Sequence, residues 1–162
     1  MYHNVISLLV VISLLGCSPE FNWRETHIDN YSILFPNKPS TEQKKIFIDG
    51  KQYILTMQSA QPNGSDGKKI LFGVAYINSN GYAYNIGLQK KLQKHWCEKV
   101  VINEYKIKDV FECKFKNKVI YAKWIVTKYR VYQVTSIKHS SYLNINLKEN
   151  IELFFNSFKY LQ

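Results

Sequence analysis

Arginine is scarce in this chain: Arg24 and Arg130 are the only two among 22 basic residues. A formal net charge of +10 would otherwise suit a nucleic acid partner. Proteins that read phosphates and base edges favour the forked guanidinium group, whose paired hydrogen bonds lysine does not make. We therefore expect no nucleic acid partner, and we interpret most of the positive charge as a solvated, lysine-rich surface.

The motifs of common catalytic and cofactor sites are also missing. No Gly-x-Ser-x-Gly turn frames a serine nucleophile, and no glycine-rich loop is present to cradle a phosphate. His95, Cys97 and Cys113 lack the spacing of a zinc site, because side chains two residues apart on a helix point in different directions and no second close pair follows. We therefore expect no metal, no cofactor and no enzymatic activity.

No apolar stretch reaches the roughly 20 residues that a membrane-spanning helix needs, and the N-terminal run covers only Val5 to Leu15. That length is typical of a signal-peptide core. The run ends in Leu14-Leu15-Gly16-Cys17, which resembles the lipobox of bacterial lipoproteins. The resemblance implies removal of residues 1–16, with cleavage between Gly16 and Cys17, and a lipid on Cys17 that anchors the protein to a membrane. An ordinary secretory signal with a chance cysteine is the alternative, and it too predicts export.

The resemblance also implies a location in the cell envelope. Ser18, rather than an aspartate, follows the cysteine, which resembles the sorting pattern for the periplasmic side of the outer membrane in a cell with two membranes. Residues 17–30 are polar and without clear periodicity, so we interpret them as the lipidated cysteine and a tether. Residues 31–162 are long enough for a single globular domain with a hydrophobic core.

Period-two alternation predicts strands on both sides of one helical segment. Asp49-Gly50 predicts a hairpin, because this dipeptide tolerates the positive φ angles of a type I′ turn. The predicted strands are Tyr31 to Phe35, Lys45 to Ile48, Gln52 to Gln61, Lys69 to Ile77, Val100 to Phe115, Val119 to Val126 and Tyr129 to Ile137.

Two segments have helical periodicity. In Gly81 to Trp96 apolar side chains recur every four residues, which predicts an amphipathic helix packed on the sheet. Lys90, Lys91 and Lys94 lie largely outside that stripe, either as solvated charges or as a contact for anionic lipid or lipopolysaccharide. The second predicted helix is Leu147 to Phe158, where Asn146 and Glu149 have the spacing of a capping box.

Strands, helix, strands and helix in that order predict an α+β domain. The strand that ends in Phe35-Pro36, the strand Arg130-Val131-Tyr132-Gln133 and the terminal helix with Phe154-Phe155 resemble the Mog1/PsbP-like superfamily, and in particular small uncharacterised bacterial envelope lipoproteins. The resemblance implies an α/β/α sandwich, with a mostly antiparallel sheet covered by two main helices and used for binding or assembly. It carries over no catalytic residue, because a shared fold does not transfer function.

Two further residue types leave alternatives open. Cys97 and Cys113 form either a disulfide, which export permits, or two buried thiols. The abundant tyrosines either pack in the core or present a glycan- or protein-binding surface. Those in predicted strands or at the start of the first predicted helix are Tyr76, Tyr82, Tyr84, Tyr121, Tyr129 and Tyr132.

We therefore expect a lipid-anchored envelope protein with a non-catalytic binding or scaffolding role and a protein or glycan partner. The alternative is an envelope enzyme that acts on a cell-wall or lipid substrate, because triad geometry is invisible in a sequence.

Overall fold

The computed structural model describes residues 20–64, 66–79, 81–97, 100–102 and 105–161. Gly16 and Cys17, and with them the predicted signal peptide and lipidation site, lie outside these residues. The described residues contain ten strands and two α-helices, with a short 3-10 helix, Asp66–Lys69, before the fifth strand. In chain order they are β1 (Arg24–Ile28), β2 (Tyr31–Phe35), β3 (Ser40–Ile48), β4 (Lys51–Ala60), β5 (Ile70–Asn78), α1 (Tyr82–Trp96), β6 (Val100–Ile102), β7 (Phe111–Phe115), β8 (Lys118–Val126), β9 (Arg130–His139), α2 (Leu147–Ser157) and β10 (Lys159–Tyr160).

Seven of the strands form one antiparallel sheet in the order β3-β4-β5-β9-β8-β7-β6. Both predicted helices are present as α1 and α2, and together with this sheet they confirm the α+β class. The predicted hairpin is also present: β3 and β4 pair up to Ile48 and Lys51, and the two residues between them have φ of 50° and 75°. Asp49 and Gly50 supply these left-handed conformations, which aspartate tolerates and glycine adopts without strain.

A second sheet of three strands, β1-β2-β10, packs with α2 over one face of the large sheet. The core between them is aromatic, and Phe154 of α2 lies with its ring centroid 5.0 Å from that of Phe72 on β5. Fully buried Tyr31, Tyr121 and Tyr132 belong to the same side of the fold. For Tyr121 and Tyr132 the core-packing interpretation is therefore correct.

The predicted tether, residues 17–30, extends too far into the domain. Arg24–Ile28 is a strand that pairs with β2 along its whole length. Before it, the rings of Phe21 and Trp23 stack on each other and meet the edge of Phe72. This strand was missed because its side chains are mostly exposed, so burial leaves no alternating apolar pattern in it.

The predicted strand Val100 to Phe115 is in fact two short strands, β6 and β7, separated by a turn. Lys106 and Asp109 within the turn have φ of 54° and 59°, a left-handed conformation that interrupts a ladder. Ile107 and Val110 are buried in this turn, which explains why the segment resembles a strand in the sequence.

The predicted capping box at the start of α2 is also wrong. The side chain of Asn146 makes no capping hydrogen bond. In a capping box the glutamate three residues later accepts from the backbone N–H of the cap residue, but here Asn144 Oδ1 accepts from that N–H at 2.9 Å. Asn144, in the loop before the helix, therefore accepts the hydrogen bond that Glu149 would accept in a capping box.

Candidate functional site: an apolar groove beside the first helix

The second face of the large sheet is only half covered. Leu88 and Leu92 of α1 pack on Leu55, Ile77 and Val131, which lie side by side on β4, β5 and β9. Beyond this contact the same face is open and forms an apolar groove with a cavity of about 330 Å³. An amphipathic helix therefore covers one part of the face and leaves the other part as an open, mostly apolar concavity.

A row of small residues forms the floor of the groove. Ser59, Gly73, Thr135 and Ala122 are direct cross-strand partners on β4, β5, β9 and β8, so they form a line across the sheet. Four strands at about 4.8 Å spacing make this row roughly 14 Å long. A Cβ added at Gly73 would lie 3.3 Å from a backbone oxygen of β4, so the floor is already closely packed there.

Larger side chains stand on both sides of the small-residue row. Toward α1 the next cross-strand row contains Met57 and Trp124. On the other side it contains Leu71, Ile137 and Ile120. Large side chains beside small ones produce an elongated trough, because only the large ones project far above the pleated backbone.

One wall of the trough is a disulfide between Cys97, just after α1, and Cys113 on β7. Their Cα atoms are 5.8 Å apart, a separation typical of such bonds. Both cysteines are buried. The bond ties the end of α1 to the sheet and so holds the helix at the margin of the trough.

Polar groups are few. Ser59 and Thr135 belong to the floor and Gln133 stands next to Trp124, while the other polar groups lie at the rim. Glu42 and Lys44 on the edge strand β3 form an exposed ion pair at 3.4 Å, and Gln93 of α1 stands at another part of the rim. A mostly apolar lining with a small number of polar groups is the usual composition of a small-molecule site. The site can therefore bind an elongated apolar ligand whose polar end stays at the rim.

The lysines of α1 are exposed, as their position outside the apolar stripe predicts. Lys91 forms an ion pair with Asp49 of the β3–β4 hairpin, and that hydrogen bond raises the pKa of Lys91. Lys90 and Lys94 are exposed on the same helix, so the helix surface as a whole stays basic. Its predicted contact with an anionic surface stays a prediction.

Two tyrosines connect α1 to the same hairpin. The hydroxyl groups of Tyr53 and Tyr84 are hydrogen-bonded to each other, and Lys51 Nζ donates to Tyr84 at 3.1 Å. Burial and the bond to Tyr84 raise the pKa of Tyr53 to about 12, whereas the bond from Tyr53 lowers the pKa of Tyr84. Tyr84 and Tyr129 have exposed rings, but Tyr76, Tyr121 and Tyr132 are buried, so the predicted tyrosine surface is much smaller than the sequence suggests.

One histidine contacts a serine. His139 Nδ1 lies 2.6 Å from Ser141 Oγ, and its Nε2 lies 2.8 Å from the side-chain amide of Asn117. The backbone N–H of Ser141 also donates to Nδ1, so this nitrogen is the acceptor. Asn117 and Ser141 lie in exposed loops at the end of the sheet, and His139 is the last residue of β9.

Metal ligands are not gathered in any comparable way. Within the described part of the chain no three histidine, cysteine or acidic side chains are placed to hold a metal ion. His95 is exposed, while Cys97 and Cys113 are bonded to each other.

No protein-family model, curated protein or solved structure matches this chain. Among the helices of the described residues, none combines the length and apolar character needed to cross a bilayer. Of the features described above, the groove has the shape and the apolar lining of a binding site. The sequence signal that could have revealed it is the series Leu71, Gly73 and Ala75, where one strand face changes from large to small residues.

Proposed function

We propose that this protein is a lipid-anchored component of the bacterial cell envelope with a non-catalytic binding role, and that its groove holds an acyl chain. The apolar groove across the open half of the sheet carries this proposal. The lipobox-like sequence that ends in Cys17 supports the anchor, on the periplasmic side of the outer membrane if the cell has two membranes. The order of strands and helices supports a Mog1/PsbP-like domain as the scaffold.

An acyl chain fits the groove better than a compact polar ligand does. The floor is long and narrow, and the side chains on both sides of it are mainly aliphatic. The cavity volume falls at the lower end of the range of about 300 to 1,000 Å³ found for small-ligand sites, which suits one chain rather than a whole lipid. Each methylene that leaves water contributes about 0.8 kcal/mol, so a chain of ordinary length binds without ionic contacts.

Displacement of a fluorescent fatty acid from the purified protein tests this function. Thr135→Phe places a ring in the small-residue row and should weaken binding at least tenfold. The matched control is Thr41→Phe, the same change at an exposed position of the edge strand β3. Binding that is undetectable in the parent, or equal in parent and both variants, would show that the groove is not an acyl-chain site.

The contact between His139 and Ser141 favours a second candidate, an esterase that acts on a lipid substrate. In this hypothesis Nδ1 accepts the proton of the Ser141 hydroxyl as that oxygen attacks an ester carbonyl. The ester C–O bond then breaks, the alcohol leaves with that proton, and water hydrolyses the acyl-serine to release the acid. A fluorophosphonate probe should then label the parent and Ser140→Ala but not Ser141→Ala. Equal labelling of both variants, or no labelling of the parent, excludes this candidate and leaves the non-catalytic function.

A further inference from the structure

Three loops meet at one end of the large sheet, which we call the loop end; their described residues are 61–64 and 66–69, 116–117, and 140–146. They lie together because the start of β5 pairs with the end of β9, and the start of β8 pairs with that same end. The backbone also connects two of the loops, where Ser140 N–H donates to the carbonyl of Asn117 at 2.8 Å.

The loop end carries two aliphatic side chains in water. Leu143 is 87% exposed and Ile145 is 96% exposed. The residues between and beside them hold the loop in this conformation: Tyr142 is buried and donates to Glu20 Oε1 at 2.7 Å, and Asn144 donates to Glu20 Oε2 at 2.9 Å. The alternate residues therefore point outward as a consequence of a specific set of hydrogen bonds.

The same end is basic. Lys68 precedes β5, while Lys116 and Lys118 lie at the turn between β7 and β8, and all three are exposed. Glu20 has both carboxylate oxygens occupied by hydrogen bonds, as described above. Two other acidic residues belong to this part of the fold: Asp66 lies in the loop before β5, and Glu149 lies in the first turn of α2. Exposed aliphatic side chains and lysines at the same end of a fold are typical of surfaces that insert into the interface of an anionic bilayer.

The described chain also begins at the loop end. The carbonyl of Glu20 accepts from the backbone N–H of Asn63 at 2.8 Å, in the loop between β4 and β5. Cys17 is three residues earlier in the sequence, and a fully extended chain of that length limits its Cα atom to roughly 11 Å from that of Glu20. The outer wall of the groove, which includes Leu71 and Ile137, is the part of the groove next to this end.

We propose that the loop end is a membrane-docking surface, in which Leu143 and Ile145 enter the lipid interface and the lysines contact anionic headgroups. The proposal rests partly on the lipid anchor of the proposed function, but the exposed aliphatic pair supports it independently. A bilayer, rather than a protein, is the partner because the loop end combines the positive charge with Glu20, which follows the predicted anchor site by three residues.

An environment-sensitive dye tests which end meets the membrane. Leu143→Cys, Ile145→Cys and Phe47→Cys are made in the full chain, labelled with a nitrobenzoxadiazole maleimide and mixed with vesicles that contain one-quarter phosphatidylglycerol in phosphatidylcholine. Phe47 is the matched control, since it is 67% exposed but lies beside the hairpin at the opposite end of β4. Parent protein carried through the same labelling corrects for dye on Cys17.

We expect a blue shift and quenching by nitroxide-labelled acyl chains at positions 143 and 145, but neither change at 47. Replacing Lys68, Lys116 and Lys118 together by glutamine should reduce binding to anionic vesicles about tenfold or more, and less to neutral ones. The proposal is overturned if the dye stays in water at all three positions, or if its emission shifts equally at all three. Lys94→Cys places the same dye on the exposed surface of α1. A blue shift there without one at position 143 would also overturn the proposal and would indicate docking through the helix. Acyl-chain binding in solution is measured without vesicles, so its failure is distinguishable from failure of docking.

Discussion

Replacing Cys97 and Cys113 together by alanine opens the covalent link between the end of α1 and β7. The bond closes a loop with a sequence separation of 16. In the chain-entropy description, a loop of this size restricts the unfolded state enough to stabilise the fold by about 3 kcal/mol. Both positions are buried. Each substitution removes a single sulfur atom, so the alanines leave only small voids beside the groove.

Urea unfolding followed by tryptophan fluorescence measures this loss. With a denaturant slope of about 2 kcal/mol per molar, the midpoint should fall by about 1.5 M relative to the parent. The parent in reducing buffer serves as the matched control and should fall by a similar amount. A double variant that unfolds within about 0.5 M of the oxidised parent would refute the entropic reasoning. A parent whose thiols both react with iodoacetamide before reduction would refute the disulfide itself.

Three further predictions concern the core, alkaline pH and the anchor. Phe154→Ala removes a ring packed against Phe72 and should lower the free energy of unfolding by about 3 to 5 kcal/mol in the same assay, whereas Leu153→Ala, at an exposed neighbour, should change it by less than about 1. Burial raises the pKa of Tyr31, whose hydroxyl donates to the buried Gln58 at 2.7 Å. The folded state thus holds this proton more tightly than the unfolded state, so stability should be full below about pH 10 and fall as pH rises further, less steeply in Tyr31→Phe. Tyr31→Phe should also lower the free energy of unfolding by about 1 to 3 kcal/mol at neutral pH, because Gln58 loses its donor. If the variant loses stability above pH 10 as steeply as the parent, Tyr31 is not the group responsible. Cys17→Ser should abolish incorporation of radiolabelled palmitate and release the protein from the membrane fraction, while Cys17 that is not acylated in the parent would exclude the anchor.

Local features were predictable from the sequence because neighbouring residues decide them. Asp49-Gly50 predicts the hairpin, since only a few residue types adopt the two left-handed conformations of its turn. The four-residue spacing of Leu88 and Leu92 predicts both α1 and the side of it that is buried. The α+β class follows from the order of such elements.

Only the tertiary structure decided where the site is. Ser59, Gly73, Thr135 and Ala122 are far apart in the chain, and they become a continuous row only through the register of four strands. The exposure of Leu143 and Ile145 likewise depends on hydrogen bonds from their loop to Glu20, more than 120 residues away. The sequence by itself determined the local turns, the helix faces and the predicted lipidation site at Cys17. Strand register and long-range hydrogen bonds determined the groove and the loop end, because both depend on partners that no local pattern specifies.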